Sequence, residues 1–290
     1  MRAREHSKNH HSINSVMSLV ALMKGKRSLE TVYKTLDLFP YGKALSNWDR
    51  VLIKVNFITT KNWETGATTD PLMVEALVNR IRELGKEVII VESDAQTTNA
   101  YKAWVTSGMS EIGERLEVPF INMRHIDKVE LKVPNGRVLK KIKVAKIATE
   151  SAIVSAAKLK THMSTQVTLG LKNMFGMLTT KFKGRYHMRG MDKVIHDINL
   201  TLPPNLTVID GFIAMEGRGP VHGQPIKMDT LIGSLDPVAA DAVASRVMGF
   251  DPEKINHIKW AHESRIGEIK AIEVIGKKVE KVRRVFKKPV

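Results

Sequence analysis

Residues 51–94 read V-L-I-K-V-N-F-I-T-T-K-N-W-E-T-G-A-T-T-D-P-L-M-V-E-A-L-V-N-R-I-R-E-L-G-K-E-V-I-I-V-E-S-D, and this stretch decides the fold class. Residues 51–57 are mostly apolar, as a strand covered on both faces should be. Asp70 then stands before Pro71. The aspartate suits an N-cap, and the fixed φ of proline suits the first helical position. Val74, Leu77, Val78, Ile81 and Leu84 follow at helical spacing, and Gly85 supplies a stop. Residues 86–91 form a second apolar run, closed by Glu92-Ser93-Asp94. Strand, helix and strand in this order predict a parallel pair joined by a crossover helix, hence an α/β protein.

The pattern continues outward. A helix is expected over 100–116, broken near Gly108 and Gly113, then a strand over 119–122. Residues 129–133 and 137–144 flank Pro134-Asn135-Gly136 and read as a solvated, decorative hairpin with an Asn-Gly turn. Further strands are expected at 152–157, 206–211, 230–233 and 269–275. Asp236-Pro237 repeats the capping device and opens a helix that carries Asp241 and ends near Met248-Gly249. The expected architecture is α/β: a mostly parallel sheet flanked by helices, with an inserted β-hairpin and room for two lobes around one cleft. Residues 1–46 read as a basic N-terminal helical preamble, with one helix over 28–38 stopped by Pro40. Residues 47–276 form the α/β domain and 277–290 a basic tail.

The 46 Lys and Arg outweigh the 30 Asp and Glu, giving a net charge of +16 and pointing to anionic partners. Seven of the cations, from Lys277 to Lys288, crowd the tail. Nucleic acid is one partner that such a surface and tail would take, yet zinc fingers, RNP aromatic pairs and GXXG clamps are all missing. With no cysteine there is no disulfide, no thiolate nucleophile and no cysteine-held iron–sulfur cluster. The apolar run at 16–23 is too short to span a bilayer. It follows a basic segment from Arg2 to His11, but Lys24, Lys26 and Arg27 stand where a small-residue cleavage site would be, so a cytoplasmic protein is expected.

In open α/β sheets ligands bind beyond the carboxyl ends of the strands. Lys54, Asn56, Glu92, Asp94, Lys160, His162 and Asp210 all sit at or just past predicted strand ends. The densest run of such groups is K-L-K-T-H-M-S-T-Q-V-T-L-G-L-K-N-M-F-G over 158–176, continued by Lys181, Lys183, Arg185, Tyr186 and His187. It predicts a cleft for a small carboxylate or phosphate. Lys54, Asn56, Glu92, Lys160, Thr161, Asn173 and Glu216 are candidate ligand-binding residues, and His162, His187 and Lys172 candidate catalytic ones, histidine being the side chain that titrates near neutrality. A divalent metal would draw on His162, His187, Asp210 and Asp241, although their spacings match no known metal motif. Asp70 and Asp236 need no reading beyond capping.

Several short motifs resemble one family. I-K-V-N-F at 53–57, T-T-D-P at 68–71, K-L-K-T-H at 158–162, T-L-G-L-K-N-M-F-G at 168–176, Tyr186-His187, V-I-D-G at 208–211, M-E-G-R-G-P at 215–220 and D-P-V-A-A-D at 236–241 are together similar to the family catalogued as domain of unknown function 362, found in archaea and bacteria. Some members carry cysteine-rich ferredoxin-like segments, which implies an accessory role in a redox or cofactor-assembly system as an alternative. This chain departs from that pattern in having no cysteine. A fainter similarity, to the nickel-pincer lactate racemases, lies in the use of lysines and histidines in loops after strands.

Overall fold

The structure is a computed structural model that describes residues 17–180 and 182–289. The basic segment from Arg2 to His11, and Lys181, lie outside the described residues. The strands are β1 (Ser18–Lys24), β2 (Arg50–Lys54), β3 (Glu87–Glu92), β4 (Phe120–Asn122), β5 (Lys128–Lys132), β6 (Lys141–Ala145), β7 (Ala152–His162), β8 (Gln166–Thr168), β9 (Leu206–Glu216), β10 (Gln224–Ser234) and β11 (Ile272–Gly276). Nine of them form one mixed, largely parallel sheet in the order β11-β1-β10-β9-β7-β2-β3-β4, with β8 paired to β7, and β5 and β6 pair separately.

The α/β expectation holds at its centre. β2 pairs in parallel with both β3 and β7, and the crossover between β2 and β3 is the helix Pro71–Arg82. Asp70 caps that helix by accepting from the Leu72 N–H at 2.9 Å. Alternate residues of β2 serve opposite faces, as the two-residue period of a strand requires. Val51 and Ile53 pack with Val74, Leu77 and Ile81 of the crossover helix, while Leu52 packs with Ile89, Ile153, Val194 and Ile198 on the other side. A third cluster joins β9 and β10 to the helix Pro237–Val247.

Four local expectations change. The apolar run near the amino terminus is β1, which lies between β10 and β11 in the main sheet, and among the described residues of that region only Leu29–Leu36 and Tyr41–Leu45 are α-helical. The helix expected over 100–116 is two, Ala100–Thr106 and Met109–Arg115; Gly108, at φ +80°, makes the break and Gly113 lies inside the second helix. The hairpin packs on the core rather than standing free in solvent. Val133, Leu139, Ile142 and Val144 are buried in the core, and the Arg137, Val138 and Leu139 N–H groups all donate to the Asp197 carboxylate. The basic C-terminal run is docked: Val282 and Phe286 are buried, and the Arg284 and Phe286 N–H groups donate to the Val247 and Met248 carbonyls. Among the described residues no helix is long and apolar enough to cross a membrane.

β7 carries the largest consequence for function. Its pattern was expected to end at Ala157, but it runs on through Lys158, Lys160 and His162, fully buried along its length. The lysines are strand residues, not loop residues. Burial of so many cations is costly unless each finds acceptors, and those acceptors define the site.

Candidate functional site

The carboxyl ends of β2, β3 and β7 lie side by side and open into a cavity of about 390 Å³. Its polar lining includes Lys54, Asn56, Glu92, Lys160, His162, Lys172, Asn173 and His187, eight of the residues singled out from the sequence. Ser93, Thr168 and Lys183 also line it, and Phe57, Ile58, Met163, Phe175, Pro220 and Val221 give it an apolar side.

Asn173 is the hub of the floor. It stands at the end of the short helix Gly170–Asn173, whose backbone folds over the strand ends. Its Oδ1 accepts from Lys54 Nζ and Asn56 Nδ2, each at 3.1 Å, and its Nδ2 donates to the Lys54 carbonyl at 2.9 Å and Ser155 Oγ at 3.1 Å. All four hydrogen-bonding positions of the amide are thus used. Asn56 Oδ1 accepts from Lys160 Nζ at 2.8 Å, and the Ala67 carbonyl accepts from the same ammonium. Lys54 Nζ donates to Glu92 at 2.9 Å, and the same Glu92 oxygen accepts from the Phe57 N–H at 3.1 Å. One continuous network therefore joins β2, β3, β7 and the short helix. Gly176 is required beside it, because a Cβ there would collide with the Glu92 carboxylate and the end of the Lys54 side chain.

The charge balance of the cavity is uneven. Among the described residues four lysines line it against one glutamate. Burial pulls Lys54 below the ordinary lysine value, opposed by the Glu92 carboxylate. Burial, then Lys172 and Lys158, pull Lys160 well below it. Burial lowers Lys172 to about 8, with Asp192 acting against the fall and Lys54 adding to it. Burial likewise lowers Lys183 to about 8, opposed by Glu92. His162 is held far below the usual imidazole range by burial and then by Lys172, so it is neutral. Its Nδ1 accepts from the Ser164 N–H at 3.1 Å, which puts the ring proton on Nε2. Burial and Lys172 also lower His187. The arrangement supplies a cluster of amines whose charged forms burial disfavours, a neutral imidazole donor and an exposed second histidine.

The other sequence candidates stand elsewhere. The Thr161 hydroxyl donates to the Gly217 carbonyl at 2.8 Å, tying β7 to the turn after β9. Glu216 accepts from the Lys287 N–H at 3.0 Å and so anchors the C-terminal segment. Asp210 accepts from Lys158 Nζ at 2.6 Å and from the Asp70 N–H at 2.9 Å, a closed structural pair. Asp241 accepts from the Gly170 and Leu171 N–H groups at 2.7 and 3.0 Å, capping the short helix from another element. Burial raises that carboxyl to about 7. The four metal candidates thus do not converge, and among the described residues no group of three or more His, Asp or Glu side chains is placed to hold a metal ion.

Ser93 was missed as a site residue, and Lys183 was read only as part of the basic run, with no role of its own. Ser93 Oγ accepts from Lys183 Nζ at 2.6 Å and donates to the Gly176 carbonyl. Ser93 follows the flagged Glu92 directly, so the rule that strand ends carry ligands would have found it.

An α/β sheet with a lysine-rich cleft at its strand ends defines the class. The chain belongs to the family described as a domain of unknown function (DUF362), matched over residues 51–246. It is similar to a thylakoid-associated protein of Synechocystis sp., with 27% identity over 253 residues that cover 83% of this chain and 74% of the relative. Among solved structures it is similar to the lactate racemase apoprotein of Thermoanaerobacterium thermosaccharolyticum, with a TM-score of 0.42 and 10% identity over 79% of this chain. The chain spans 57% of that protein's length.

Proposed function

We propose that the cleft binds a small carboxylate or phosphate anion, with His162 and His187 set to donate to it or move a proton on it, and that the protein acts on this anion as an enzyme. The supporting observation is the excess, among the described residues, of four lysines over one glutamate around one half-open cavity. An anion settling there would restore the charge that burial now disfavours on Lys160, Lys172 and Lys183. The hydrogen bonds of Asn56 and Asn173 hold the lysine positions in advance, so little ordering is needed on binding.

Calorimetric titration with inorganic phosphate and with hexanoate, each at low and high salt, tests this reading. One saturable site with a shallow salt slope is expected. A steep salt slope, with tighter binding of oligonucleotides than of either small anion, would favour a polyanion-binding protein instead. We also propose the cytoplasm as its setting; cell fractionation tests that directly, since one relative is named as thylakoid-associated.

A further inference from the structure

The four lysines of the cleft differ in how they are held. Lys54 donates to the Val55 carbonyl, Glu92 and Asn173. Lys160 donates to Asn56 and the Ala67 carbonyl, and Lys183 to Ser93. Each of these ammoniums is tied to a named acceptor. Lys172 donates to no acceptor among the described residues, and its Nζ stands 5.5 Å from the centroid of the Phe175 ring. The acid acting on it, Asp192, is already engaged with His257 Nδ1 at 2.6 Å. Three tied amines thus line the same cavity as one uncommitted amine, and the cavity has an apolar side. Desolvated lysines beside other cations are the lysines that attack carbonyl groups.

Resting on the anion-site reading above, we propose that Lys172 is a carbonyl-trapping lysine and that the ligands of this cleft are oxo acids with an apolar chain. The carboxylate lies toward the tied lysines, the chain lies along Phe57, Ile58, Phe175 and Val221, and the carbonyl carbon meets Lys172 Nζ. The amine lone pair forms the C–N bond while the C=O π pair moves to oxygen, which His162 Nε2–H steadies by a hydrogen bond. One proton passes from nitrogen to that oxygen, giving a carbinolamine. Loss of the hydroxyl with the remaining N–H proton, as water, leaves an imine. No oxidant or reductant enters. The burial-lowered value of Lys172, about 8, leaves a fraction of the amine unprotonated near neutral pH, as the first step requires.

The full chain is incubated with 2-oxohexanoate, reduced with sodium borohydride and mapped by peptide mass spectrometry. Hexanoate, which has the same chain and carboxylate but no carbonyl, is titrated in parallel. The expected result is a single reduced adduct on Lys172, suppressed at least about tenfold by saturating hexanoate and absent from a Lys172→Arg variant whose circular dichroism is native. If hexanoate binds at one site and no adduct forms, or adducts scatter over surface lysines, the carbonyl-trapping proposal falls and the anion site stands. If hexanoate does not bind either, both fall. An adduct that persists in Lys172→Arg also overturns the proposal.

Discussion

Lys158 and Lys160 stand two residues apart on β7, both fully buried, and meet opposite fates. Lys158 ends on the Asp210 carboxylate at 2.6 Å, inside a network that also takes in the Asp70 N–H and, through Asp70, Arg27. Lys160 ends on an amide oxygen and a backbone carbonyl, acceptors that take two of its three N–H protons without cancelling a charge. The first arrangement is electrically closed and belongs to the fold. The second leaves a buried amine whose charged form is disfavoured until it meets an anion the chain does not supply. Accepting a proton and neutralising a charge are separate services, and Lys160 receives the first in part and the second not at all.

The comparison breaks most sharply at Lys158. Lys158→Met strands Asp210 as an uncompensated buried carboxylate and is expected to cost about 3–5 kcal/mol in urea unfolding, with anion affinity of the folded protein unchanged. Lys160→Met should behave in the reverse sense. It removes an uncompensated charge, so stability is expected to hold or rise, while hexanoate or phosphate affinity falls by at least about tenfold, or about 1.4 kcal/mol. Equal stability losses in the two variants would erase the distinction between the two lysines.

A smaller effect comes from pH. Lys172 and Lys183 have values lowered to about 8 in the free cleft, and a bound anion raises them, so binding takes up protons in this range. Affinity is expected to be flat below about pH 8 and to fall above it, by up to about tenfold per pH unit for each ammonium the ligand needs. The same lysines titrate near 10.5 in the unfolded chain. Between about 8 and 10.5 the unfolded chain then binds more protons than the folded one, so these groups add stability as pH rises through that window. Titration calorimetry and urea unfolding across this range check both signs. The smallest change is predicted for Glu216→Gln, which keeps an acceptor for the Lys287 N–H: below about 1 kcal/mol in stability and no change in anion affinity.

The β2–helix–β3 unit was legible because its signals are local: an apolar run, Asp70-Pro71, helical spacing and Gly85. The strand-end rule then gathered most of the cleft. What stayed hidden depends on partners distant in sequence. β7 looked finished at Ala157 because Lys158 and Lys160 break an apolar pattern, and the acceptors that permit their burial, Asp210 and Asn56, lie on other strands. Asp241 looked like a spare carboxylate on its own helix, while its duty is to cap the helix that begins at Gly170. Glu216 was drawn into the site by a glycine-rich context, and its actual partner is the backbone of Lys287.

β1 has a bearing on how the chain reaches this state. It is the first described strand, yet its sheet neighbours are β10 and β11, pairing Val20 with Ser234 on one side and with Val274 on the other. Emerging from the ribosome, that apolar segment has neither neighbour until almost all of the protein has been made. The β2–helix–β3 unit can assemble in the meantime from nearby residues, but closing this flank of the sheet is a long-range event and hence a slow one. Until it happens, an unpaired hydrophobic edge is on show, and crowded synthesis at high temperature or high expression will find aggregation there first.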